Sequence, residues 1–150
     1  MAKESRIIVD TYAIISDLTG QATESAFLVL DSIRLGRVEG IIHYLIVYEL
    51  AYHWRRGRLP FRDEEELRDF IETYFVIKPL NPELAVRASK VKVIGDKLLR
   101  DSKDPRLYRR RLSVSDATSI ALAQLLDAPI LTGDIDLSYV AQRFGVNILW

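Results

Sequence analysis

Five short, mostly apolar runs alternate along this chain with longer stretches of helical periodicity, at residues 6–9, 41–43, 76–80, 129–132 and 146–150. The first run is β-branched or long at every position, which is typical of a strand buried on both faces of a parallel sheet. Strands that alternate with helices indicate βαβ units. The pattern therefore predicts an α/β protein in which helices cover both faces of a central, mainly parallel sheet of four to five strands.

The helical stretches carry recognisable start and stop signals. Pro82 stands at or near the first position of one helix, and Gly57 with Pro60 ends another. A polar, basic segment at 101–112, broken by Pro105, predicts a loop. A helical pattern follows Asp10, and the other predicted helices cover 23–35, 45–56, 63–75, 82–99, a stretch from a Ser113 or Ser115 cap to about 126, and 136–144.

Length and composition limit the kinds of protein that this chain can form. Its 150 residues, without linker or repeat, predict one domain over residues 1–150. The absence of Cys excludes a disulfide framework and thiol chemistry, and only two His disfavour a structural zinc site. Because the net charge is zero, affinity for nucleic acid must come from local patches. The first residues lack the features of a signal peptide or membrane span, which predicts a cytoplasmic protein.

Four acidic residues stand at unusual places in this pattern. Asp10 ends the first predicted strand, and Asp134 follows the strand at 129–132. Asp116 opens a helix, and Glu49 lies in an otherwise apolar helical segment. Ligand sites of open α/β sheets lie at the carboxyl ends of the strands. If the two strands are neighbours, these side chains can converge at one edge of the sheet.

A cluster of four carboxylates requires a compensating charge. Without one, the side chains repel each other and some of their pKa values rise. A divalent cation removes this penalty, and an all-oxygen ligand set suits Mg²⁺ or Mn²⁺ better than zinc. Such a centre activates water and neutralises the transition state of a phosphodiester.

The acidic residues lie in motifs that resemble those of the PIN-domain family, and most closely the VapC-type toxin ribonucleases. The resemblance covers nearly the whole chain, and the motifs occur in the order and spacing of that family. They are Val9-Asp10-Thr11, Val47-Tyr48-Glu49-Leu50, Ser115-Asp116-Ala117 and Leu131-Thr132-Gly133-Asp134-Ile135-Asp136. The resemblance implies a three-layer α/β/α PIN-like fold and a metal-dependent endoribonuclease that leaves a 5′-phosphate.

The same resemblance implies roles for residues and partners for the protein. Asp10, Asp116 and Asp134 would hold Mg²⁺ or Mn²⁺, and Glu49 would hold it through water or help to deprotonate the attacking water. The positions that would support these ligands are Thr11, Thr132 and Asp136. The implied partners are an RNA substrate, a second copy of the chain in a homodimer, and a small antitoxin protein whose segment wraps the toxin.

Several of these acids also have ordinary structural interpretations. Asp10 could cap the helix that follows it, because Asp is a favoured N-cap residue. Asp116 could complete a capping box that begins at Ser113. Asp136 is predicted as the cap of the last helix rather than as a metal ligand.

Charges outside the aspartates also allow two interpretations. Glu49 could be neutralised by an ion pair instead of a metal, and its candidate partners are Arg55, Arg56 and Arg87. His53, one turn from Glu49, could share its site or lie on the surface. A basic cluster could hold RNA phosphates and stack a base, or form a solvated face; it consists of Arg106, Arg109, Arg110 and Arg111 with Tyr108 among them.

Three further functions compete with the toxin interpretation. The first is an RNA-processing PIN nuclease outside any toxin–antitoxin pair, and the second is a PIN-like binding module without activity. The third is a haloacid-dehalogenase-like phosphatase, since Asp10 also ends a first strand in that class. That class requires a second Asp where Tyr12 stands, and a Lys before the last acidic motif, where Ala128-Pro129-Ile130 supplies none.

Overall fold

The computed structural model describes residues 5–150 and contains a five-stranded sheet in which all neighbouring strands run parallel. The strands are β1 Arg6–Val9, β2 Glu39–His43, β3 Phe75–Lys78, β4 Ile130–Leu131 and β5 Ile148–Leu149, in the order β3-β2-β1-β4-β5. The first strand of the chain is therefore the central one, with Ile8 opposite Ile41 on one side and Ile130 on the other. The predicted parallel sheet is confirmed.

Helices cover both faces of the sheet, as the alternating pattern predicts. They are α1 Thr11–Leu18, α2 Glu24–Arg34, α3 Tyr44–Arg55, α4 Glu64–Tyr74, α5 Pro82–Arg100, α6 Val114–Leu126 and α7 Ile135–Arg143. Ile8 belongs to a buried core shared with α5, α6 and α7, whereas Ile7 and Val9 belong to a core shared with α1 to α4. The three-layer α/β/α architecture follows from this alternation along one strand.

The ends of some elements differ from the prediction. Asp134, and not Asp136, occupies the N-cap position of α7, so the predicted cap is wrong. The last strand is limited to Ile148–Leu149, and β3 ends at Lys78 because two prolines follow within four residues. Ser113 rather than Ser115 caps α6, with its hydroxyl accepting a hydrogen bond from the Asp116 N–H.

The segment between α5 and α6 is a loop, as predicted, and it is fixed at its end. The Leu112 N–H donates to Asp96 Oδ1 at 2.8 Å, and the Leu112 carbonyl accepts from Lys92 Nζ at 2.7 Å. The Leu112 side chain is buried against Gly95, where an added Cβ would lie 2.7 Å from Leu112 Cδ2. These contacts place the preceding residues of the loop beside the carboxyl edge of the sheet. No helix among residues 5–150 has the length and apolar character needed to cross a bilayer.

Candidate metal centre

Three aspartates meet at the carboxyl edge of the sheet. Asp10 directly follows β1, Asp134 lies three residues after the end of the neighbouring β4, and Asp116 lies in the first turn of α6. One carboxylate oxygen from each lies within 4.8 Å of the others. The group faces a cleft of about 480 Å³ that Glu49 also lines. The predicted convergence of the four acids in one place is therefore what the structure contains.

Asp10 is buried, with 4% of its surface exposed. Its Oδ2 accepts a hydrogen bond from Thr132 Oγ1 at 2.8 Å. The residue occupies the N-cap position of α1, yet among residues 5–150 its carboxylate makes no capping hydrogen bond of normal geometry. Burial, with the charges of Glu49 and Asp134 adding to it, raises the pKa of Asp10 to about 7, and the bond from Thr132 only partly opposes this. A buried acid in this position is costly to ionise unless a cation lies beside it.

Asp116 and Asp134 share this electrostatic cost. Burial raises the pKa of Asp116 well above its ordinary value, and the charges of Asp10, Asp134 and Glu49 raise it further. Burial also raises the pKa of Asp134, with Asp136 adding to the effect and Arg110 opposing it. Asp134 additionally caps α7, since its Oδ1 accepts from the Asp136 N–H at 3.3 Å. Its structural and proposed ligand roles are compatible, because the other carboxylate oxygen takes no part in the cap.

Glu49 lies on α3 and is oriented by two hydroxyls. Its Oε1 accepts from Thr11 Oγ1 at 2.9 Å and from Ser115 Oγ at 2.6 Å. The ion-pair alternative for Glu49 is wrong, because its three candidate partners have other contacts. They are Arg55 with Glu64, Arg56 with the Tyr52 hydroxyl, and Arg87 with Glu83. Glu49 thus lies on the same cleft as the aspartates and is held there by two neutral hydroxyl donors.

The hydroxyl side chains that contact the acids include two that the sequence predicts and one that it does not. Thr11 and Thr132 contact Glu49 and Asp10, as their proposed supporting roles require. The sequence predicts Ser115 only as a possible helix cap, whereas the structure shows its hydroxyl donating to Glu49 Oε1. The signal that could have identified it is its place in the first turn of α6, because that end of the helix is the one that carries Asp116 into the site.

The basic cluster is divided by the structure. Arg110 and Arg111 line the cleft, and Arg110 Nη1 lies 3.2 and 3.3 Å from the two carboxylate oxygens of Asp136. Arg106 instead pairs with Asp104, and Arg109 lies over the ring of Tyr108 at 5.4 Å. Neither of these two is among the residues that line the cleft. Two of the four predicted RNA-binding arginines therefore line the cleft that contains the acids.

The two histidines occupy different environments. His53 lines the cleft, and its Nδ1 lies 3.1 Å from Arg58 Nη1. His43, at the end of β2, is fully buried, and its Nε2 lies 2.9 Å from Ser119 Oγ. Within residues 5–150, His43 Nδ1 has no hydrogen-bond partner of normal geometry. Burial lowers the pKa of His43 to about 4, so this imidazole is neutral at physiological pH.

The donor set fits a hard divalent cation. It consists of carboxylate oxygens, it gathers three aspartates within 4.8 Å, and the pKa values of Asp10 and Asp116 are raised by burial and by the neighbouring acids. Oxygen ligands of this kind suit Mg²⁺ or Mn²⁺. The fold and the site together define an α/β/α domain with an acidic pocket at the carboxyl ends of β1 and β4.

Comparison with known families places the chain within this class. The sequence model of the PIN domain matches residues 7–143, and the chain belongs to the PIN-domain family. This membership sets aside the haloacid-dehalogenase-like alternative. A comparison with curated proteins finds no significant match.

Three solved structures are similar in fold. VapBC2 from Rickettsia felis, bound to a DNA fragment from its promoter, has a TM-score of 0.65 at 10% identity, over 95% of this chain and 96% of that one. Mycobacterium tuberculosis VapC20, a sarcin–ricin-loop-cleaving toxin, has a TM-score of 0.59 at 18% identity over 88% and 92%. A toxin–antitoxin complex from Klebsiella pneumoniae has a TM-score of 0.56 at 17% identity over 85% and 86%. At these identities the similarities establish the fold.

Proposed function

We propose that this PIN-domain protein is a metal-dependent endoribonuclease and the toxin of a toxin–antitoxin pair. The observation that carries the proposal is the meeting of Asp10, Asp116 and Asp134 within 4.8 Å, with Glu49 on the same cleft. A cluster of carboxylates that repel each other does not stabilise a fold. It does provide the ligands for a cation that hydrolyses a phosphodiester. The structural similarity to VapC20, a toxin that cleaves the sarcin–ricin loop, supports RNA as the substrate class.

The four acids have two roles in the proposed mechanism: three hold the metal and one accepts a proton. Asp10, Asp116 and Asp134 would hold Mg²⁺ or Mn²⁺, which when bound supplies Lewis-acid charge and lowers the pKa of water. Thr132 fixes Asp10 through its hydroxyl, and Thr11 with Ser115 fixes Glu49 through Oε1. Within residues 5–150, Glu49 Oε2 has no hydrogen-bond donor, so this oxygen is the acceptor for a proton of the attacking water.

The reaction breaks the bond between phosphorus and the 3′ oxygen. Water adds to phosphorus, its proton passes to Glu49 Oε2, and the departing 3′ oxygen leaves as a hydroxyl after protonation from solvent. The products are a 3′-hydroxyl and a 5′-phosphate. Catalysis in this scheme consists of positioning and charge neutralisation, without a covalent intermediate.

The direct test is cleavage of RNA by the purified protein. We expect the wild type to cleave single-stranded or hairpin RNA with Mn²⁺ and to stop with EDTA. Asp10→Asn and Asp116→Asn should each lose at least about a hundredfold in rate, because each removes a charge that the cation requires. Asp69→Asn, a change of the same type on the exposed face of α4, is the matched control and should cleave as the wild type does. Full activity of the Asp10 or Asp116 variant would contradict the proposal. A wild type that cleaves no RNA would also contradict it and would favour a binding module without activity.

The toxin assignment has its own test. A toxin should stop the growth of a host cell when expressed without its partner, whereas an RNA-processing enzyme should be tolerated. We expect arrest with the wild type and with Asp69→Asn, and normal growth with Asp10→Asn. Relief of the arrest by a small protein encoded next to this chain would identify the antitoxin, in line with the similarity to toxin–antitoxin complexes.

The proposal includes a homodimer, for which an apolar cleft supplies a surface. The cleft lies between α3, α5 and α6, has a volume of about 230 Å³ and is lined mainly by apolar residues that include Leu45, Leu80 and Val114. Val114 in this lining is 58% exposed, and Val86, which follows the lining residue Ala85 on α5, is 69% exposed. Exposed apolar surface of this kind can be covered by a second copy of the chain. Sedimentation of the wild type as a dimer, and of Val114→Asp as a monomer, is the expected result. A monomeric wild type would contradict this part of the proposal.

A further inference from the structure

An ion pair bridges the mouth of the acidic cleft between two separate parts of the chain. Arg110 comes from the loop before α6, and Asp136 from the first turn of α7. Arg110 Nη1 lies 3.2 Å from Asp136 Oδ1 and 3.3 Å from Oδ2. Both residues line the cleft that contains the three aspartates. The pair therefore lies where a phosphate bound to those aspartates through a cation would enter.

The geometry gives Asp136 a different role from its neighbours. The oxygens of Asp10, Asp116 and Asp134 form the close group of possible ligands in the described part of the chain, and Asp136 is outside it. Its carboxylate instead faces a guanidinium, and it does not cap α7. Asp136 is thus available to hold Arg110. This role differs from both a metal ligand and a helix cap.

Stability alone does not account for this pair. The side chain of Arg110 is 52% exposed, and ion pairs with so exposed a partner typically contribute about 0–1 kcal/mol. Its backbone, by contrast, is well fixed, because the Arg110 N–H donates to the Leu107 carbonyl at 2.9 Å and Leu107 is buried. Leu112, two residues after Arg110, is held by hydrogen bonds with Asp96 and Lys92. The loop presents Arg110 at a defined place, and Asp136 fixes the direction of its side chain.

The guanidinium retains donors for a substrate. Its contacts with Asp136 use Nη1, and among residues 5–150 neither Nη2 nor Nε of Arg110 donates a hydrogen bond. A guanidinium carries five N–H donors in a planar fork that matches a phosphate. The cleft is otherwise rich in carboxylates, so an RNA phosphate that enters it needs a cationic side chain in addition to the metal.

We propose that Asp136 is a positioning residue that holds Arg110 at the mouth of the cleft, where the free guanidinium nitrogens contact the scissile phosphate of RNA. This inference rests on the proposed nuclease function. Arg110 is then the catalytic residue of the pair, because it touches the reacting group. Asp136 acts through Arg110 and leaves metal binding to the three aspartates.

The test combines cleavage with metal binding in one set of variants. The set contains Arg110→Ala, Arg110→Lys, Asp136→Asn and the double variant Arg110→Ala with Asp136→Asn. Arg68→Ala is the matched control, since Arg68 also forms an exposed ion pair, with Glu72 on α4, and does not line the cleft. Single-turnover cleavage of an RNA oligonucleotide with Mn²⁺ and calorimetric titration with Mn²⁺ alone are measured on each protein, after its unfolding temperature has shown that it is folded.

We expect Arg110→Ala to slow single-turnover cleavage by about a hundredfold, as the loss of one transition-state donor typically does. Arg110→Lys should fall between Arg110→Ala and the wild type, because a lysine keeps the charge but lacks the fork. Asp136→Asn should slow cleavage by up to about a hundredfold through misplacement of the guanidinium. It should add nothing in the Arg110→Ala background, because a residue that acts through another shows no independent effect. Arg68→Ala should match the wild type.

Mn²⁺ binding separates positioning from ligation. The double variant keeps the net charge of the cleft, so its Mn²⁺ dissociation constant should equal that of the wild type. Substitution of a residue that hydrogen-bonds to a metal ligand typically weakens metal affinity by about 10- to 100-fold. If Asp136 were a ligand, the double variant would therefore bind Mn²⁺ measurably more weakly. A loss of Mn²⁺ affinity in the double variant, an additive effect of Asp136→Asn, or wild-type cleavage by Arg110→Ala would overturn the inference while the nuclease function stands. A wild type that cleaves no RNA would overturn both.

Discussion

Individual acids in this protein are arranged at a cost to the metal-free fold. Asp10 ionises at an ordinary pKa of 3.8 in an unfolded chain and at about 7 in the folded one. Between these values the folded protein holds a proton that the unfolded chain has lost, so stability declines as pH rises through this window. Asp116 shifts in the same direction for the same causes. The cluster therefore opposes folding at neutral pH until a cation binds.

Removal of one of these charges should stabilise the metal-free protein. We expect Asp10→Asn, without metal and at about pH 8, to have an equal or greater free energy of unfolding than the wild type, because the amide oxygen can still accept from Thr132. Urea unfolding after chelation measures this difference. If Asp10 were instead a cap or a member of an ion pair, the variant would lose about 1 kcal/mol or more.

His43 should have the opposite dependence on pH. Its pKa falls from an ordinary 6.5 to about 4 on folding, so its contribution to stability is complete above the unfolded value and is lost as pH falls from 6.5 towards 4. The difference between wild type and His43→Gln isolates this contribution from that of the aspartates, since Gln can still bond Ser119 but does not titrate. We expect the advantage of the wild type to shrink by an amount on the order of 3 kcal/mol across that window. A constant difference would show that His43 is not held neutral by burial.

At the scale of elements, the sequence predicts strands and helices well where one local signal dominates. The run at 6–9 followed by Asp10 has one interpretation, and β1 indeed ends there at the centre of the sheet. Asp134 and Asp136, by contrast, are both good N-cap residues two positions apart, and local pattern cannot choose between them. The choice is made by Thr132, whose hydroxyl accepts from the Asp134 N–H at 3.0 Å and sets the path out of β4.

Contacts between distant elements lie beyond what local pattern can predict. Glu49 receives its hydrogen bonds from residues 38 and 66 positions away along the chain. The resemblance to PIN domains supplied its place in the site, but neither periodicity nor spacing indicated Ser115 as its donor. His43 likewise carries no local signal, because its burial depends on α6 packing against the end of β2. Tertiary packing, rather than propensity, decides these partners.

The loop before α6 provides a prediction at this scale. Asp96 on α5 holds the Leu112 N–H, and Asp96→Ala should leave this half-buried donor without its partner. We expect a loss of about 1–3 kcal/mol in unfolding free energy. The freed loop should also slow RNA cleavage, because it carries Arg110 and Arg111, while Mn²⁺ affinity should not change. Asp69→Ala, which removes an exposed acid from α4, is the control; equal cleavage by both variants would show that the loop needs no anchor.

At the scale of the whole molecule, the acids join elements that are far apart in the chain. Asp10 follows β1, Glu49 lies on α3, Asp116 on α6 and Asp134 before α7, so a bound cation would tie both helical layers to the sheet edge. A ligand that binds only the folded state adds roughly 2.7 kcal/mol of stability at a hundredfold excess over its dissociation constant. Because the net charge of the chain is zero, the electrostatic attraction for a cation comes from this local group of carboxylates and not from the charge of the whole protein.

The most direct measurement is a calorimetric titration of the chelated protein with Mn²⁺, carried out on the wild type, Asp116→Asn and Asp69→Asn. We predict saturable binding by the wild type and by Asp69→Asn, and an affinity at least about tenfold weaker for Asp116→Asn. Absence of binding by the wild type, or equal affinity for all three proteins, would contradict the account, because the carboxylates would then have gathered for some reason other than a cation.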